Sequence, residues 1–138
     1  MAIPLDFLDV HDLIIKTIPR LRGWSFFDGE AAVTDNAMPP WVIVTIATTD
    51  RGESEQGDTA LRQGILRLRV VGDTALSVNI ACEKFRDVLD YATCGDERIG
   101  RFLPDSDSGS YAGDLKNPQT NNVFHIRVLA WRFGWNAI

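Results

Sequence analysis

Apolar positions recur along this chain with two periods, and each change of period marks a new element. Near the N-terminus Phe7, Leu8, Leu13, Ile14, Ile15 and Ile18 approximate a stripe of helical spacing. Asp6, Asp9 and Asp12 favour its early turns, and Pro19 ends it, because proline disfavours helix geometry in the residue before it. The pattern predicts a helix over 4–18. Trp24, Ser25, Phe26 and Phe27 then read as a short strand, and 28–40 as a loop without a clear period. Over 41–49 the run WVIVTIATT is rich in β-branched residues and predicts a strand.

The next stretch, 50–58 (DRGESEQGD), is too hydrophilic to pack and reads as a long hairpin loop between two strong strands. Alternation returns over 61–71, with Leu66, Leu68 and Val70 on one face and Arg67 and Arg69 on the other. Gly72 and Asp73 break that strand, and Thr74 offers a helix cap. A helix is predicted over 75–92. Its stripe is Val78, Cys82, Phe85, Leu89 and Ala92, with Glu83, Lys84, Arg86, Asp87 and Asp90 largely off it and Gly95 as terminator. A short strand at 99–103 precedes an excursion over 104–122, rich in Ser, Asp, Gly and Asn, with a small strand near 110–112. The last element, 123–135, is a long strand. Phe124, Ile126, Val128 and Ala130 share one face; His125, Arg127, Leu129, Trp131 and Phe133 share the other.

No repeat and no linker divides the 138 residues, so one domain is expected over 1–138. The order of elements predicts an α+β fold: a single mainly antiparallel β-sheet with two main helices packed on one face and long polar loops.

Composition narrows the function by exclusion. With 45% hydrophobic and 24% charged residues the chain reads as an ordinary globular domain, and its apolar runs are too short for a membrane span. A net charge of −5 argues against a general polyanion binder. Cys82 and Cys94 have no metal spacing and read as inert thiols of a reducing compartment. The N-terminus lacks the basic-then-apolar order of a secretion signal, so a cytoplasmic origin is expected. There is no Gly-rich phosphate loop, no nucleophile elbow and no zinc-binding histidine pair. An enzyme is therefore not expected, nor a cofactor. His11 beside Asp12 reads as a partly exposed histidine. Asp105, Asp107 and Gly109 echo the start of a calcium loop, but the third acidic position and distal glutamate are missing, which leaves an ordinary turn-rich loop.

What remains is surface. A sheet covered by helices on one face is normally polar on the other. We assign Leu129, Trp131 and Phe133, beside Arg127, to the uncovered face, together with Trp41 and Ile43. Aromatic and apolar groups mixed with arginine are typical of an interface centre. The alternative is that 104–122 or the N-terminal loop folds over this face. Arg67 and Arg69 project to one side and Arg127 is expected to join them, whereas Arg132, five residues on from Arg127, faces the other way. Such a row suits three roles: meeting the acidic loop of a neighbouring copy, contacting DNA that passes nearby, or simply facing solvent. The candidate interface residues are thus Arg51, Glu53, Glu55 and Asp58 in the loop, with Arg67, Arg69, Arg127 and Trp131 on the sheet.

Taken together, the N-terminal helix, the short strand 24–27, PPWVIV at 39–44, ILRLRVVG at 65–72 leading into the long helix, and FHIRVLAWRF at 124–133 resemble the tail terminator (tail completion) proteins of long-tailed bacteriophages. The likeness is one of layout and covers most of the chain; the 104–122 excursion is longer than the family's pattern. The resemblance implies a structural virion protein forming a hexameric ring that closes the head-proximal end of the tail tube. Its implied partners are further copies of itself, the tail tube protein and the head–tail connector proteins, with DNA in the lumen and no membrane. The implied location is the virion tail, after assembly in the host cytoplasm. The loop over 50–58 would then meet the tail tube. Two other readings stay open: a head-completion or stopper protein of the same neck, and a small cytoplasmic ligand-binding domain.

Overall fold

Asp6 starts the first helix. In the computed structural model, which describes residues 6–29, 39–48, 53–54, 57–58 and 61–136, its carboxylate accepts the Asp9 N–H at 2.8 Å. That contact satisfies one of the donors a helix start leaves unpaired. Helix α1 spans Phe7–Thr17 and stops at an extended Ile18, immediately before Pro19. The predicted beginning at Pro4 lies outside the described residues. Val10, Ile14 and Ile18 turn inward and are buried, as i, i+4 spacing requires.

The strands follow as β1 (Ser25–Asp28), β2 (Trp41–Thr48), the two-residue pair β3 (Glu53–Ser54) and β4 (Gly57–Asp58), and β5 (Leu61–Gly72). Helix α2 (Ala75–Leu89) leads to β6 (Leu103–Asp107), β7 (Tyr111–Lys116) and β8 (Val123–Asn136). One sheet holds six strands in the order β1-β2-β5-β8-β6, with β7 also on β8. Every pairing in it is antiparallel except β1 with β2. The α+β fold with one mainly antiparallel sheet is as expected. The polar stretch 50–58 does join two antiparallel neighbours, and its described part is a small ladder of its own, with Glu53 opposite Asp58.

Three expectations need correction. Helix α2 ends at Leu89, not at Ala92, and Gly95 does not terminate it. Trp131 Nε1 donates to Asp90 Oδ1 at 2.7 Å, and Tyr91 takes a left-handed turn (φ 60°) held by its N–H to the Phe102 carbonyl at 2.8 Å. Between 99 and 103 only Ile99 makes a bridge, to Trp135, and the strand begins at Leu103. The excursion over 104–122 is mostly strand: β6 and β7 follow each other along the same edge of β8, with a bend at Gly109 (φ 68°) between them. Their polar composition, and Pro104, suit an edge strand, where one side of the backbone meets solvent.

The main core lies between the helices and one sheet face. Val42, Val44, Leu66, Leu68, Val70, Leu129, Trp131 and Phe133 meet Val78, Ala81, Cys82, Phe85 and Leu89 of α2 and the buried residues of α1. Thr74 caps α2 as predicted, its hydroxyl accepting the Ser77 N–H at 3.0 Å. The Phe133 ring lies against Gly64, where an added Cβ would stand 2.5 Å from Phe133 Cζ and 3.1 Å from the Ala47 carbonyl oxygen. Overpacking of this kind costs about 1–3 kcal/mol. Gly64→Ala should therefore lower the unfolding free energy by that order, read as a lower urea midpoint at an unchanged m-value. An unchanged midpoint would show that the buried ring moves aside freely.

Candidate functional site

The faces of β8 alternate as predicted, but the assignment of those faces to core and surface is reversed. Leu129, Trp131 and Phe133 point at the helices. Trp131 is 1% exposed, and its Nε1 is consumed by Asp90, so it belongs to the core and is not an interface residue. Large aromatics are what a helix-covered face needs to fill its volume, and alternation alone does not say which face the helices choose.

Arg127 shares that face and does not join Arg67 and Arg69. It is 9% exposed, with Nε donating to Asp107 Oδ1 at 2.8 Å and Nη2 to Asp107 Oδ2. Its Nη1 donates to Asn79 Oδ1 at 3.1 Å. This bidentate pair ties the β6 edge to β8 and α2, and a guanidinium this buried is tolerable only when paired so fully. Contacts of this kind occupy both carboxylates of the 105–109 turn. Asp107 is committed to Arg127, and Asp105 faces Arg132 at 3.1 Å. Among the described residues no three His, Cys, Asp or Glu side chains gather where they could hold a metal ion. Burial pushes the Cys82 thiol up to about 12, which keeps it protonated and unreactive.

The opposite face carries Trp41, Ile43, Val71, Phe124 and Ile126 as a second, smaller cluster, packed against Phe27 and Val128. Trp41 and Ile43 are thus on the face expected of them. Its two halves differ. At one end β7 pairs edge to edge with β8, and the Ile126 side chain packs across Gly113, where an added Cβ would stand 2.8 Å from Ile126 Cδ1. β6 and β7 thus extend the sheet as edge strands beside this face. Trp41 meets Phe27 edge-on with ring centroids 6.0 Å apart, and its buried Nε1 has no hydrogen-bond partner among the described residues.

Among the described residues the other half is open. Ile43, Thr45, Arg67, Arg69, Tyr111 and Val128, with Gly29, line a shallow concavity of about 580 Å³. Register puts them together: Arg69 lies between Ile43 and Val128, and Arg67 between Thr45 and Ala130. Both arginines are exposed. Neither makes an ion pair or a side-chain hydrogen bond with any described residue. Ile43 was foreseen on this face; Thr45, Val128 and Tyr111 were not foreseen as members of this site. The only sequence signal for Tyr111 was its being the one aromatic residue in the polar 104–122 run. Of the predicted loop residues, Arg51 and Glu55 lie outside the described residues, and Glu53 and Asp58 are described as the paired ends of the β3–β4 ladder.

A third charged group stands apart. His11 on α1 has Nδ1 at 3.0 Å from Asp12 Oδ1 and Nε2 at 2.7 Å from Asp28 Oδ2 on β1. Ionised carboxylates only accept, so both contacts are satisfied when both ring nitrogens carry protons. The Asp12 hydrogen bond, with help from Asp28 and against partial burial, holds the imidazole above its ordinary value.

No protein-family model matches the chain, and a comparison with curated proteins finds no match either.

Two pH responses follow. The Arg127 hydrogen bonds hold Asp107 below the usual carboxylate range, so this pair stabilises the fold above that range, and the contribution is lost as pH falls through the lowered value. Asp107→Asn should cost about 1–2 kcal/mol near neutral pH, at the lower end for charged hydrogen bonds because Asp107 is a third exposed. It should also flatten the acid limb of a urea-unfolding series; an unaltered acid limb would remove the pair from the stability account. His11 has the opposite sign. Its contribution is complete below the ordinary histidine value and fades as pH rises through the raised one. Thermal midpoints should accordingly fall over that interval, and His11→Leu should abolish the slope.

Proposed function

We propose that this chain is a structural protein of a long-tailed bacteriophage, a tail terminator whose subunits form a ring of about six at the head-proximal end of the tail tube. In this role it ends tube elongation and presents a surface for head joining, with no catalytic step. Its partners are other copies of itself, the tail tube protein and the connector proteins of the head.

The observation that carries the reading is the half-open second face of the sheet. The helices complete the main core without it, Ile126 packs across β7 at one end, and the remainder sets Ile43, Val128 and Tyr111 beside two arginines that pair with no described residue. A monomer has no use for such a mixture, whereas a subunit interface does. The layout of elements, from the N-terminal helix to the long closing strand, supports the family rather than the general class. Other neck proteins form rings too, so position along the virion is decided by binding.

Light-scattering mass over a concentration series, with negative-stain images of the same sample, tests this. A species of roughly six times the 15.4 kDa subunit mass with a central hole is expected. It should bind isolated tails; binding to DNA-filled heads alone would indicate a stopper or head-completion role. A monomer at every concentration that also fails to bind tails would overturn the ring.

A further inference from the structure

We propose that the Arg67–Arg69 concavity is the acceptor for the acidic β3–β4 hairpin of a second copy of this chain. The inference rests on the ring reading above and deepens it by assigning the two patches that join neighbours.

Residues two apart on a strand project to the same side, so Arg67 and Arg69 hold two positive charges about 7 Å apart along β5. No described acidic group compensates them, although five other arginines, at 86, 98, 101, 127 and 132, all contact acceptors. The floor between them is apolar, with Ile43 on one side and Val128 on the other. A complementary partner therefore brings carboxylates on a slender backbone. The chain itself contains one: residues 50–58 include four acidic residues and a single arginine. The β3–β4 ladder places Glu53 and Asp58 at one rung.

The two patches are separated along β5. Arg67 and Arg69 are six and eight residues along β5 from Leu61, where the hairpin is rooted, which is about 20–26 Å of strand. Two different and mutually complementary patches at separate places are what a head-to-tail contact between identical subunits requires. The same arrangement gives register, because like charges meet when the hairpin is misplaced. DNA is a poorer occupant. Two arginines beside an apolar floor make a short phosphate track, and the chain carries a net charge of −5.

Charge reversal tests the contact. Two variants are prepared, Arg67→Glu with Arg69→Glu, and Glu53→Arg with Asp58→Arg, each checked by circular dichroism and unfolding midpoint. Each alone should weaken ring formation about tenfold or more, read by light-scattering mass or by mass bound to isolated tail tubes. A one-to-one mixture should recover rings, since the acidic face of one variant meets the basic hairpin of the other, and the reverse pairing matches as well. The chain carrying all four substitutions should also recover them. Rings of undiminished strength in either folded variant would overturn this contact and leave the ring reading intact. So would failure of both rescues, or a lowered unfolding midpoint in the arginine variant at unchanged mass, which is the signature of docking within one subunit. Loss of salt-dependent DNA binding in the arginine variant with rings preserved would assign the row to DNA instead. Absence of rings in the unsubstituted chain, on tubes as well as free, would remove the ring reading and this contact together.

Discussion

The pairing of β5 with β8 is the constraint on which the rest of the molecule depends. Twelve residues of each strand, Leu61–Gly72 against His125–Asn136, run in a single unbroken antiparallel register. Side chains alternate along both strands, so this register decides everything about the two faces at once. A slip of one residue in β5 would turn Leu66, Leu68 and Val70 away from the helices and carry Arg67 and Arg69 into the core. Burying two unpaired guanidinium groups is far costlier than exposing three aliphatic side chains. The register is thus held by charge as well as by hydrophobic burial, and β2, β6 and β7 add to a pair already fixed.

Arginines on this sheet meet two different fates, and the difference is instructive. Arg127 lies at the end of the helix-covered face, where Asn79 of α2 and Asp107 of β6 satisfy its donors. It acts as a fastener between an edge strand and a helix, and it removes Asp107 from any other chemistry. Arg67 and Arg69 face the other way, onto the concavity beside Ile43, Val128 and Tyr111. A paired, buried arginine serves the fold, while an exposed arginine beside apolar groups suits recognition.

The same division runs through the titratable groups. Those with displaced values are each paired with a neighbour or sealed in the core: Asp107 with Arg127, Asp96 with Arg98, His11 between two carboxylates, and Cys82 behind α2. Such arrangements consume charge internally. Among the described residues, Arg67 and Arg69 on the concavity stand outside them.

Much of this was legible along the chain. The stripe of α2, the cap at Thr74, the acidic early turns of α1, the stop before Pro19 and the two-residue alternation in β5 and β8 are local, and local spacing determines them without reference to any distant partner. The same alternation placed Arg67 and Arg69 together and set Arg127 apart from Arg132. What it did not determine is which side of the sheet the helices occupy, because either face of β8 is apolar enough to be covered. Trp131 and Arg127 were consequently placed on the surface, and only the packing of α1 and α2 showed them to be interior. The 104–122 run likewise read as an excursion with only a small strand near 110–112, since an edge strand takes its stability from backbone pairing to β8 and needs no apolar pattern of its own. Spacing within an element belongs to the sequence; the choice of face and the recruitment of an edge belong to contacts between residues far apart in it, and only the tertiary structure makes them.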